Sequence, residues 1–178
     1  MGTTPNLDLP YPEGTDLVVN GDDAIEALAA AVDYALALDA FMTVMPAEST
    51  KAVGGETNVD FPGTAGSSGF TRDGDGFVYN GPATRYFLIS ASVEVENNGP
   101  ATSMSSTVLV YHNGTQIMGS HDLVANTSAT LAGRRVAHTV TVPQPLAAGD
   151  RIDVNALASP AGGLGITAIR IYPIGPKY

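Results

Sequence analysis

The chain of 178 residues contains no cysteine and no tryptophan, and it has only three histidines and 8 basic side chains. Without cysteine there is no disulfide framework and no thiolate for zinc or an iron–sulfur cluster, so packing or oligomerisation must supply the stability. Eight bases against 18 acids leave a formal charge of −10. Such a charge repels phosphate backbones and anionic headgroups, which argues against a nucleic-acid partner. Long apolar runs are missing too. The longest, Ala27 to Ala40, is interrupted by Asp33 and Asp39, too short and too polar for membrane insertion. Met1-Gly2-Thr3-Thr4-Pro5 offers neither a basic segment nor an apolar one, so no secretory leader is expected and synthesis in the cytoplasm is.

What is present describes a folded protein. Hydrophobic residues make up 44% and charged residues 15%, too apolar and too weakly charged for a disordered chain. Three zones differ in texture. Residues 1–22 hold three prolines and the run Leu7-Asp8-Leu9-Pro10-Tyr11-Pro12. Proline lacks an amide donor and biases its predecessor away from helix, so this zone is expected to be an extended arm. Residues 23–40 are expected to form one helix. Asp23 is a good N-cap, Glu26 stands where its carboxylate reaches back, and Ala and Leu dominate the rest. At 1.5 Å per residue this helix would be about 24 Å long. Ile25, Leu28, Val32 and Ala35 share one stripe, suited either to a threefold stem or to packing on the chain's own β domain.

Residues 41–178 read as strand after strand. Ala91, Val93 and Val95 alternate with Ser92, Glu94 and Glu96, the period-two pattern of a half-buried strand. Asn113-Gly114 lies between Val108–His112 and Gln116–Met118, which predicts a hairpin. Arg135–Val142 and Ile152–Ala156 alternate again, and seven to nine such segments indicate a sandwich or jelly roll. The last strand, Ile166–Tyr172, is apolar on both sides: Ile166, Ala168 and Tyr172 on one, Ile169 and Ile171 on the other. One side meets the core, so the other needs cover. Ile169 and Ile171 are the candidates for a subunit interface, with cover by the N-terminal helix as the alternative.

Chemistry-bearing motifs are sparse. His112, His121 and His138 stand alone, without metal-ligand spacing, and no Gly-x-Ser-x-Gly elbow exists. Glu94 and Glu96 share a strand face but alternate with Val93 and Val95, marking a solvent side rather than a glycosidase pair. Asp73-Gly74-Asp75-Gly76 resembles a fragment of a calcium loop without the EF-hand spacing or its closing Glu, so a turn is expected. Gly163-Leu164-Gly165-Ile166-Thr167-Ala168 matches a dinucleotide fingerprint by letter but opens a strand instead of a helix. No catalytic residue, cofactor or metal is assigned, and the chain is expected not to be an enzyme.

Two resemblances add to this. Phe41-Met42-Thr43-Val44, Gly76-Phe77 with Gly81-Pro82-Ala83, Tyr86 to Val93, Val108 to Gly114, and Leu146-Ala147-Ala148-Gly149-Asp150-Arg151-Ile152 resemble the C1q/TNF-like jelly roll. The resemblance implies an all-β jelly-roll β-sandwich over residues 41–178 and a homotrimer. The N-terminal zone, Leu9-Pro10-Tyr11-Pro12-Glu13-Gly14-Thr15-Asp16 followed by Val19 to Ala29 and Val32-Asp33, is similar to the opening of fibre and minor structural proteins of bacteriophages that infect Actinobacteria. It implies a location on the virion surface, with the arm (Leu7, Leu9, Pro10, Tyr11 and Pro12) docked on a capsid or tail structural protein. No collagen-like or β-helical repeat follows the helix, which favours a squat capsid-decoration or head-fibre knob over a long shaft. The alternative is a tail-fibre or baseplate adhesin recognising host-surface glycan. A secreted TNF-like ligand is opposed by the start of the chain.

Overall fold

The computed structural model describes residues 2–3, 10–11, 25, 28, 40–81, 84–125 and 132–174. The chain divides into two compact units, Met1–Asp39 and Ala40–Pro176. In the first, β1 (Gly2–Thr3) pairs antiparallel with β2 (Pro10–Tyr11), Thr3 opposite Pro10. Pro10 and Tyr11 are therefore extended. Ile25 and Leu28 are helical, Ile25 exposed and Leu28 half-buried. Leu7, Leu9, Pro12, Val32 and Ala35 lie outside the described residues.

The second unit is a two-layer β-sandwich. Its long strands are β3 (Phe41–Glu48), β9 (Arg85–Glu96), β10 (Ser103–His112), β11 (Thr115–Ala125), β12 (Arg135–Leu146), β13 (Arg151–Ser159) and β14 (Gly162–Pro173), with shorter β4 (Ala52–Val53), β5 (Thr57–Asn58), β6 (Ala65–Ser68), β7 (Phe70–Asp73) and β8 (Gly76–Tyr79). One sheet runs β12-β9-β14-β3-β6, with β4 added beside β14. The other runs β11-β10-β13-β8-β7, with β5 beside β13. Consecutive long strands repeatedly cross between layers, as in a jelly roll. The Asn113-Gly114 hairpin forms as the sequence predicts. Asn113 has φ 49° and Gly114 φ 76°, and this left-handed pair matches the twist of the flanking strands.

The core follows from alternation. Phe87, Ile89, Ala91, Val93 and Val95 on β9 are buried, and Ile152, Val154 and Ala156 meet them from the opposite layer. An aromatic cluster fills one end: Phe70, Tyr79 and Phe87 have ring centroids 4.9 to 5.2 Å apart, mostly in the edge-on arrangement that suits their quadrupoles. A register shift between Leu164 and Thr167 on β14 lets Leu164 and Thr167 both turn inward, with Thr167 Oγ1 donating to the Asp60 carbonyl at 2.8 Å. This fixes the parity of the rest of the strand and corrects one expectation. Ile169 and Ile171 are fully buried and belong to the sandwich core, so they cannot line a subunit interface. The outward side of β14 is Ile166, Ala168, Arg170 and Tyr172.

Candidate functional site

The two sheets present chemically different outer faces. On the β11-β10-β13-β8-β7 sheet and its loops several charged groups pair with one another. Arg151 Nη1 lies 2.5 Å from Asp73, and Arg151 Nη2 lies 2.9 Å from Asp153. Lys51 Nζ is 2.5 Å from Asp75, and the Asn155 amide donates to Glu56 at 2.7 Å. The Asp73-to-Gly76 segment closes the β7–β8 hairpin through Gly74 at φ 61°. Both its carboxylates are thus engaged by cations, the turn expected from sequence. Among the described residues no cluster of three or more His, Asp or Glu is arranged to hold a metal ion.

The β12-β9-β14-β3 face is graded. At one end stand Tyr86 and Tyr172, 53% and 42% exposed, and Phe41 at 37%. Leu88 lies between Tyr172 on β14 and Pro143 on β12. These residues are outward because their neighbours Phe87, Ile89 and Ile171 point in, so both sides of β9 and β14 are apolar here. The middle is small and hydroxylated. Ser90 and Thr141 oxygens are 3.1 Å apart, Ser92 and Thr139 3.4 Å, and Ala168 sits across from Ser92. A shallow depression of about 230 Å³ opens here, lined by Pro46, Ser90, Ser92, Ile166, Ala168 and Arg170 among others. The far end is ionic: Arg135 Nε is 2.9 Å from Glu96 and Nη1 3.3 Å from Glu94, and Nη2 reaches Glu48. The hydrogen bonds that Arg135 donates to Glu48 and then to Glu96 raise its pKa. Glu94 and Glu96 are therefore ligands of an arginine on a partly exposed face, as their alternation indicated.

The three histidines are engaged separately. His112 Nε2 is 2.9 Å from Asp150 and Nδ1 is 2.8 Å from the Gln144 amide. Burial would raise the Asp150 pKa, but the Ala147 amide, the Asn113 side chain and His112 outweigh it and hold the carboxyl below its usual range. His121 Nδ1 is 2.8 Å from Thr107 Oγ1 on the surface. His138 pairs with Ser106 at 2.7 Å, and both are almost completely buried. This serine–histidine pair is closed to substrate.

The site that emerges is a sheet face whose aromatic end, Phe41, Tyr86 and Tyr172, is exposed. Sequence reading found the two-sided character of the last strand but chose the inward pair. The segment Tyr86-Phe87-Leu88-Ile89, apolar in every position, carried the same signal for β9. No protein-family model matches the sequence, and no curated relative matches it. Solved structures do. The chain is similar to Eiger TNF from S. frugiperda, with TM-score 0.55 and 9% identity over 79% of this chain and 95% of that one. It is also similar to murine APRIL, with TM-score 0.50 and 15% identity over 75% of this chain and 98% of that one. At these identities the likeness concerns architecture, and together with the strand order it makes the β unit a TNF-like jelly roll.

Proposed function

We propose that this chain is a structural protein of a bacteriophage virion: a homotrimer whose jelly rolls associate through the β12-β9-β14-β3 face and whose N-terminal arm attaches it to capsid or tail. The observation that carries self-association is the exposed aromatic end of that face, Phe41, Tyr86 and Tyr172. Aromatic side chains gathered and exposed at one end of a sheet face favour cover by protein over cover by water. A rotation that brings three copies together also gives each arm two companions, and threefold attachment strengthens a weak contact through effective concentration. Support for the virion comes from the resemblance carried by Leu9 to Val32.

Sedimentation equilibrium tests the assembly, with a mass of three times the 18.2 kDa chain expected. Deleting residues 1–22 tests the anchor: the shortened chain should still associate but no longer co-sediment with phage particles. Full occupancy of particles by the deleted form would refute the anchoring role. Binding to host-cell glycan with the arm deleted would favour the adhesin reading.

A further inference from the structure

We propose that His138 is an acid-sensitive latch between the two sheets, fastening β12 to the β10–β11 edge when neutral and loosening that edge when it takes up a proton. This goes beyond the assembly reading and is independent of it. β11 and β12 are the end strands of their sheets and face each other across one side of the sandwich. His138 projects from β12 into this seam, 2% exposed. Its Nε2 lies 2.7 Å from Ser106 Oγ on β10, and its Nδ1 lies 3.2 Å from Ser120 Oγ on β11. Both ring nitrogens therefore tie one sheet to two strands of the other.

The groups around the ring decide its response. β9 places Val93 opposite His138 and offers no charge. β10 contributes only hydroxyls, Ser106 and Thr107. β11 brings Asp122, whose charge favours a protonated ring, and His121, which opposes it. Residues 126–131, which follow β11, contain no titratable side chain. Burial dominates and holds His138 below the ordinary imidazole value of 6.5. The sign follows: between the lowered value and 6.5 an opened seam binds a proton that the closed seam does not, so acid favours opening. The partner hydroxyls can accept from either ring nitrogen, so what opposes the charged ring in the closed seam is the cost of keeping it from water.

Hydrogen exchange on the full chain, corrected for the intrinsic effect of pH, reads the latch directly. From about pH 7.5 to about pH 5.5 the amides of β11 should lose up to about tenfold in protection, the factor that one pH unit below the imidazole value allows, while β13 and β14 are unchanged. His138→Gln, which keeps hydrogen-bonding capacity but does not titrate, should abolish the difference. Asp122→Asn alters an exposed side chain; it should leave the onset near the imidazole value and carry the loss of protection further as pH falls, because without that carboxylate the closed seam takes up the proton less readily. Equal β11 protection at both pH values in the wild type overturns the proposal. So does a pH response that persists in His138→Gln, or, if that variant does not fold, one whose size Asp122→Asn leaves unchanged.

Discussion

Replacing Tyr172 with serine removes one ring from the aromatic end of the proposed association face without touching the core. A tyrosine buries on the order of 200 Å² when covered completely, and Tyr172 is 42% exposed in the single chain. A neighbouring copy would thus cover about 80 Å² more, worth about 2 kcal/mol at 25 cal/mol per Å². Three equivalent positions raise the loss to about 6 kcal/mol per trimer. Because the ratio of trimer to free chain depends on the square of the free-chain concentration, the half-association point should rise by roughly 100-fold. Sedimentation equilibrium over a wide concentration range measures that point. Leu123→Ser is the matched control, since Leu123 is 65% exposed but on β11 of the other sheet. Superimposable curves for Tyr172→Ser and wild type would refute the assignment of the face, as would an equal shift from Leu123→Ser.

Other expectations concern the fold itself. Phe87→Ala empties the centre of the aromatic cluster and should lower unfolding free energy by about 3–5 kcal/mol in denaturant titration. Asp150→Ala removes the acceptor for Ala147 N, Asn113 Nδ2 and His112 Nε2 and should cost about 2–3 kcal/mol by the same measurement. Since the Asp150 pKa is depressed, its contribution should be full above the ordinary carboxylate range and fade as pH falls through the folded value, a trend that titrations at stepped acidic pH will reveal. Gly162→Ala would set a Cβ 1.9 Å from the Glu96 carbonyl oxygen, whereas nothing lies within 4 Å of one added at Gly55. A thermal melt should therefore drop clearly for the first and barely move for the second.

The β architecture was legible because most strands have one buried side. On β9, β12 and β13 the alternation of Val, Ile and Ala with Ser, Thr and Glu assigns each residue to core or surface before any coordinate is known. Where both sides are apolar, as on β14, periodicity names the two sets and leaves their direction open. Direction is set by partners distant in sequence: Ile171 lies beside Ile89 and Met42, and the register shift at Leu164 to Thr167 settles the parity. The ionic end of the face was invisible for the same reason, since Glu48 reaches Arg135 across 87 positions of chain. His138 looked like a lone histidine. Its two serine partners, on β10 and β11, become neighbours only when the layers stack.

The placement of β14 has a consequence for how the molecule is made. This strand follows β3 and β9 in the chain yet lies between them, so the middle of its sheet is made after both of its neighbours. Until it arrives, β3 and β9 each present an open backbone edge along much of their length, the kind of edge that recruits other chains. Such late, long-range pairing slows folding. Nascent chains of this protein should therefore be most prone to aggregation while β14 has yet to emerge, and a truncation that removes β14 should leave two unpaired edges in place of a slightly smaller domain.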